Sequence, residues 1–410
     1  MASRRTKGPA IRPAIAVLGA TVVLAGALTF VWWYERVLPA GPASLERSSF
    51  EELPGWPSTD PRAALAAFAR SCAQILLKPL SEPMSGTYAG TIGDWKPVCT
   101  SIPTAGSSSA ARSWFEAHFV PHSVRSGLRH EVLFTGYYEP ELRGSHVRHG
   151  VYQTPVYGMP GDLVEVDLGA FRAALQGEHI AGRLEKHRLV PFATRAEIDH
   201  FGLRSAPVLF YASDPVAVFF LHIQGSGRVR FEDGTVRRVA YAGQNGWPYT
   251  PVGRVLIEEG VLDSSHMSLQ AIRSWMKAHP EEARRAMEKD QSFVFFKEAA
   301  LGDPALGSPG AEGAPLTPGA SMAVDARVHA LGAPFYVVAS VPDRDPTKPE
   351  DTLASLFVAQ DIGGAIRGAL RGDIFFGYGA AAESMAGRMK ATGRMYVLVP
   401  KNVVARGAGA

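Results

Sequence analysis

Between Asp361 and Gly379 the chain carries five glycines, Gly363, Gly364, Gly368, Gly372 and Gly377, and its two carboxylates, Asp361 and Asp373, lie twelve residues apart. Each glycine costs a helix about 1 kcal/mol relative to alanine, so a helix here is disfavoured. Tight turns, bulges and close backbone approaches are favoured instead. Apolar runs at strand-like spacing surround this stretch: Leu356-Phe-Val-Ala359, Ile374-Phe-Phe376 and Met395-Tyr-Val-Leu-Val399. The pattern predicts short barrel-like strands whose turns present acidic side chains in a groove. Two aspartates capping ordinary turns would give the same local pattern.

At 410 residues, 46% hydrophobic and 20% charged, the chain has the composition of a globular protein long enough for two domains. A formal charge of +3 with scattered Lys and Arg gives no nucleic-acid signal. Residues 1–12 form a basic tail, with Arg4, Arg5, Lys7 and Arg12, ahead of an uncharged run over 13–34. As a helix that run would span about 33 Å, enough for a hydrocarbon core of about 30 Å. Trp32, Trp33 and Tyr34 suit an interfacial anchor with the basic side in the cytoplasm. A cleaved signal ending near Ala25-Gly-Ala27 is the competing reading. Either way the remainder is expected outside the cytoplasm, periplasmic and held to the inner membrane in the anchor reading. There the chain's only cysteines, Cys72 and Cys99, should form one disulfide.

Residues 35–59 read as a linker. Helices are expected from Asp60 to Cys72 and around 110–118, followed by a strand ending in Thr135-Gly-Tyr-Tyr-Glu139. A Thr194 cap should open a short helix. Residues 207–243 look all-β, with 216–223 as a strand and Gln224-Gly-Ser-Gly227 as a glycine-rich turn. Helical patterning follows over 253–259, 268–279 and 281–288, then a strand at Ser292-Phe-Val-Phe-Phe296. The Gly-, Pro- and Ala-rich stretch 299–319 reads as an interdomain linker, and 320–400 as β again.

No nucleophile elbow, phosphate loop or metal-spaced Cys/His cluster is present, so no metal or other cofactor is expected. Carboxylates remain as acid/base candidates. Tyr137, Tyr138, Trp247, Tyr249, Phe376 and Tyr378 are placed like the aromatics of a sugar groove. These residues fit an exported carboxylate enzyme acting on a polymer, or a polymer-binding module.

Phe134-Thr-Gly-Tyr-Tyr138, Gln153-Thr-Pro-Val-Tyr157, Thr194-Arg-Ala-Glu-Ile198, Gln224-Gly-Ser-Gly227, Tyr241-Ala-Gly-Gln-Asn245, Met267-Ser-Leu-Gln-Ala-Ile-Arg273 and Ser292-Phe-Val-Phe-Phe296 occur in that order. Together with Asp325, Asp361 and Asp373 they make the chain resemble the membrane-bound lytic murein transglycosylase A family, from about Phe134 to Lys401. The resemblance implies a mainly β fold: a double-psi β-barrel built from 60–140 and 320–405, an inserted β-rich domain over 141–298, and peripheral helices. It implies cleavage of peptidoglycan between N-acetylmuramic acid and N-acetylglucosamine, with 1,6-anhydro ends as product and no cofactor. Asp373 would be the catalytic acid, with Asp361 supporting it and Asp325 structural. Thr135, Gly136, Tyr137, Tyr138, Gln224, Gly225, Ser226, Gly227 and Asn245 would contact substrate. The implied partners are glycan strands, the membrane through the N-terminal segment, and machinery of wall synthesis or division. This chain departs from some members in lacking a lipid-attachment cysteine. Glu139 and Glu141 compete for the acid's role, while a two-carboxylate hydrolase and a non-catalytic wall binder compete for the function.

Overall fold

The computed structural model describes residues 42–104, 106–175, 178–263, 268–343 and 348–407. The apolar run 13–34, with both its readings, lies outside them, as does Met267. The chain opens with β1 (Ala43–Arg47), α1 (Arg62–Ile75), α2 (Ile92–Thr100), α3 (Ser108–His118), β2 (Phe119–Ser126) and β3 (Val132–Glu139). There follow β4 (Glu141–Ser145), β5 (Thr154–Tyr157), β6 (Leu163–Asp167), β7 (His179–Glu185), β8 (Arg188–Pro191), α4 (Arg195–Phe201) and β9 (Val208–Ala212). Next come α5 (Pro215–Gln224), β10 (Ser226–Phe231), β11 (Val236–Gln244), α6 (Val252–Glu258), α7 (Leu269–Ala278), α8 (Pro280–Glu288) and β12 (Val294–Ala299). The chain ends with β13 (Ser321–Ala323), β14 (Pro334–Val341), β15 (Asp351–Asp361), β16 (Arg371–Tyr378), α9 (Gly379–Arg388), β17 (Lys390–Pro400) and α10 (Lys401–Gly407).

Aromatic and β-branched residues pack well on a pleated surface, and the runs at 334–341, 351–361 and 390–400 pair accordingly. Phe335 of β14 sits opposite Phe357 of β15 on one side and Val397 of β17 on the other. The order β17-β14-β15-β13-β16-β3 closes on itself because β3 also pairs with β17, from Lys390↔Thr135 to Gly393↔Val132. Closure removes the exposed edges of this six-stranded barrel. One stave, β3, comes from before the insertion and lies parallel to β16. Phe134, Met322, Phe335, Val358, Ile374 and Val397 share the main core. In the same core, Phe68 of α1 meets Trp95, Trp114 and Phe119 at centroid distances of 6.3, 5.8 and 5.6 Å. The Cys72–Cys99 disulfide ties α1 to α2, as expected from the sequence.

Between β3 and β13 the chain builds a six-stranded sheet, β12-β11-β10-β4-β9-β5, and a smaller one, β6-β7-β8. Helices α5 to α8 pack beside it through Phe219, Phe220, Leu256 and Met276.

Three expectations are corrected. Residues 216–223 are helix α5, not a strand. Asp214 Oδ1 accepts from Val216 N and Ala217 N, Pro215 occupies the first turn, and Gly225 caps the end at φ 76°. An Asp-Pro start and a left-handed Gly stop outweigh a β-branched, aromatic composition. The β-like region beyond 320 also contains α9, whose Ala-rich sequence has high helix propensity. Lastly, 299–319 is no free linker: its central part folds back, with Gly307 N to Leu316 O at 2.8 Å and Gly310 N to Ala314 O at 3.0 Å.

Candidate active site

The barrel register brings the two aspartates together. Ala323 of β13 lies opposite Asp373 on β16 and opposite Asp361 on β15. With strands about 4.8 Å apart, the two aspartate backbones are separated by roughly 10 Å across one intervening strand. Thr135 of β3 faces Asp373 on the other side. Cross-strand partners point to the same face, and this face is not the main core. Its apolar members, Tyr137, Ala323 and Phe375, pack with Leu316 of the folded-back segment in a separate cluster. That segment is here termed the strap.

Thr135 Oγ1 donates to Asp373 Oδ1 at 2.7 Å. Arg371, two residues before Asp373, donates to Leu133 O at 3.0 Å and to Thr135 Oγ1 at 3.3 Å. Burial raises Asp373 from the ordinary 3.8 to about 6, and the Asp361 charge pushes the same way, against the opposing pull of Thr135 and Arg371. Asp361 is held differently. Its Oδ1 accepts from Ala311 N at 2.9 Å and Ile362 N at 3.0 Å, and its Oδ2 from Tyr137 OH at 2.9 Å. Burial raises Asp361 too, opposed by these bonds. Burial, then the neighbouring aspartate charges, carries the Tyr137 phenol well above 10, so it stays a donor. Two carboxylates in different surroundings can take different roles, one exchanging a proton and one holding charge.

Asp325 is structural. Burial disfavours its charge, but Arg327 and Gly368 N donate to both oxygens and hold it at about 2. Glu139 is fully buried. It pairs with Arg228 at 2.9 Å and Arg238 at 2.7 Å and accepts from Ser308 N at 3.1 Å. A carboxylate so enclosed ties β3 to the insertion and the strap. Glu141 is exposed and pairs with Arg230 at 3.0 Å.

A cavity of about 300 Å³ opens between the barrel and the insertion. Thr135, Gly136 and Tyr138 line it from β3, and Ala386, Gly387 and Met389 from α9 and its end. The facing wall is Phe220, Ile223 and Gln224 of α5, Tyr249, Pro251, Val252 and Gly253, and Leu269 and Ile272 of α7. Gly136 is required by packing: a Cβ there would lie 2.5 Å from the Phe376 ring and 3.0 Å from Ala386 Cα. Gln224 Oε1 accepts from Tyr138 N at 3.0 Å, joining the two walls. Arg273 of α7 and Glu383 of α9 form a second cross-wall pair.

The structure thus gathers Thr135, Gly136, Tyr138 and Gln224 in the groove, with Asp373 directly behind Thr135. The other expected contact residues do not line this cavity. Tyr137 is turned inward to Asp361. Gly225 is a helix cap, Ser226 is buried, and a Cβ on Gly227 would lie 2.5 Å from Leu221. Asn245 is 1% exposed and spends its side chain on Ala193 O, Gln291 O and Phe293 N. Trp247 donates its indole N–H to Phe192 O. Arg371 and Ala311 escaped the sequence reading. Arg371 could have been noticed two residues before an acidic candidate, whereas Ala311 contributes only a backbone N–H.

The family description "MltA specific insert domain" matches residues 133–297, and "3D domain" matches residues 320–399. A solved membrane-bound lytic murein transglycosylase from Agrobacterium tumefaciens is 32% identical, with a TM-score of 0.78 over 88% of this chain and 99% of that one. The chain belongs to the membrane-bound lytic murein transglycosylase A family. The curated family member from Escherichia coli K12 is 34% identical over 269 residues, 65% of this chain and 65% of that protein's length. The solved E. coli MltA with bound chitohexaose is 26% identical, with a TM-score of 0.61 over 88% of this chain and 93% of that one. Among the described residues no helix is long and apolar enough to cross a membrane.

Proposed function

We propose that this chain is a peptidoglycan lytic transglycosylase in which Asp373 is the single general acid and base. We further propose that the closed barrel is of the double-psi type, and that the enzyme works outside the cytoplasm at the membrane. The observation that carries the mechanism is the position of Asp373: behind Thr135 at the wall of an interdomain groove, raised to about 6 by burial. The relative solved with bound chitohexaose supports a β-1,4-linked amino-sugar strand as ligand here.

Protonated Asp373 gives its proton to the glycosidic oxygen as the bond from the muramic C1 to that oxygen breaks. The resulting carboxylate then takes the proton of the same sugar's 6-hydroxyl as its oxygen bonds to C1. The products are a free N-acetylglucosamine 4-hydroxyl and a 1,6-anhydro muramic end, with no water consumed. An attack from within the substrate gains its rate from positioning. A hydrolase would need a second carboxylate to activate water or form a covalent intermediate. Asp361 suits neither task, since Tyr137, Ala311 and Ile362 occupy its oxygens. The test is mass spectrometry of purified sacculi treated with the enzyme. Anhydromuropeptides are expected; reducing-end muropeptides would mean hydrolysis, and no soluble product would mean a binding protein.

A further inference from the structure

Ala311 of the strap donates its N–H to Asp361 Oδ1 at 2.9 Å, alongside Ile362 N at 3.0 Å. Its neighbour Glu312 reaches the opposite way, into the junction of α1 and β15. Ser71 Oγ of α1 donates to Glu312 Oε2 at 2.6 Å, and Gln360 Nε2 of β15 donates to Ser71 Oγ at 2.9 Å. Ser321 Oγ of β13 donates to Gln360 Oε1, and Glu312 N donates to Gln360 O at 3.1 Å. Ser71, Ser321 and Gln360 are fully buried. The side chain of Glu312 is therefore a clasp that helps hold the strap to the barrel, one residue from an N–H that Asp361 accepts.

We infer that Glu312 is a positioning residue for the transglycosylase reaction, holding Asp361 as an anion beside Asp373 through the strap. This rests on the transglycosylase reading above. Glu312 Oε1 is buried with no hydrogen-bond partner among the described residues. Burial carries Glu312 up to about 7, with Ser71 and Lys78 pulling the other way. The charged groups around the clasp are Lys78 just beyond α1, Arg70 of α1, which donates to Thr317 at the base of the strap, and Asp361 at the end of β15.

If the clasp opens, Asp361 loses an N–H donor and is more easily protonated. The repulsion that helps raise Asp373 then fades. Because Asp373 must start protonated, activity falls as pH rises through its pKa, and this alkaline limb should move to lower pH.

The experiment measures kcat, KM and the pH profile of anhydromuropeptide release for the full-length wild type, Glu312→Ala, Ser71→Ala and Glu312→Gln. Both alanine variants should lose about tenfold in kcat with KM within about twofold, the signature of a loss felt in the transition state. Their alkaline limb should move to lower pH. Glu312→Gln still accepts from Ser71 and should retain kcat within about twofold. Wild-type kcat and an unmoved limb in Glu312→Ala would overturn the inference. Should that variant fail to fold, the same result in Ser71→Ala would overturn it. A wild type that releases no anhydro product would overturn instead the reading beneath it.

Discussion

Asp373→Asn should abolish turnover and stabilise the protein in the same stroke. The substituted amide keeps an oxygen to accept from Thr135 Oγ1, which donates to Asp373 Oδ1 at 2.7 Å, but it cannot exchange a proton as an acid and base must. Loss of general acid catalysis costs about 10² to 10⁴-fold, and here one group performs both transfers, so the upper end is expected. The stability effect follows from burial. Asp373 is raised from 3.8 to about 6, so between those values the folded state binds more protons than the unfolded. Stability then falls as pH rises through this window, and the penalty is complete above it. The gap corresponds to about 3 kcal/mol as a ceiling. Residual solvent around a partly buried side chain, and the lost attraction to Arg371, reduce the expected gain to about 1–2 kcal/mol. The assay pairs anhydromuropeptide release with urea unfolding of both proteins at pH 4 through 8. The stability difference should be near zero at pH 4 and open to its full size by pH 7. A variant retaining more than about a tenth of wild-type activity would remove Asp373 from the acid's role. A difference that does not change with pH would refute the raised pKa.

Asp361→Asn should reduce turnover less than Asp373→Asn and move the alkaline limb of the pH profile to lower pH, because the charge beside Asp373 is gone; an unmoved limb would count against that coupling. Glu139→Gln should leave the specific activity of the folded fraction intact but cost about 3–5 kcal/mol in stability, since it breaks a buried ion pair and leaves the Arg228 and Arg238 charges under-compensated. Denaturant melts and activity per folded molecule separate the two effects. Thiol labelling of the unreduced, unfolded protein should find Cys72 and Cys99 blocked, and reducing their bond, with a sequence separation of 27, should cost about 3.5 kcal/mol in the chain-entropy model.

The dense glycines around Asp361 and Asp373 and the apolar runs beside them made the barrel legible, because turns and half-buried strands leave local patterns. Thr194 marked a helix start for the same reason: its side-chain oxygen caps an N–H only three residues away. Residues 216–223 misled because a buried helix and a buried strand are both apolar throughout, and only Asp214, Pro215 and Gly225 at the ends tell them apart. The groove was legible to the extent that Thr135, Gly136 and Tyr138 sit together in sequence. Tyr137, between them, points to the other side. Alternation along β3 should have separated Tyr137 from Tyr138 once a strand was assigned there. Asn245 and Glu139 look functional in one dimension because polar residues inside apolar runs stand out. In the fold they are buried anchors, and their partners at Ala193, Gln291, Arg228 and Arg238 lie too far along the chain to be inferred locally.

The insertion leaves the barrel one residue after Glu139 and returns on β12, which ends at Ala299. Thr135 therefore lies four residues before the point where the second wall of the groove begins. Glu139 sits at that point, fully buried, and its two arginines reach on to the carbonyls of Leu301, Pro304 and Leu306. The outgoing and returning chains are thus clamped together four residues along β3 from Thr135, the partner of Asp373, and the strap continues from this clamp to Asp361. Arg273–Glu383 and Gln224–Tyr138 also join the walls of the groove, each through side-chain atoms. A long polymer could be admitted by loosening those side-chain contacts while the geometry around Asp373 is kept. The interrupted barrel thus puts the crossing between the two walls on β3, the same strand that holds Thr135 against Asp373, and positioning of that pair is what an attack from within the substrate depends on.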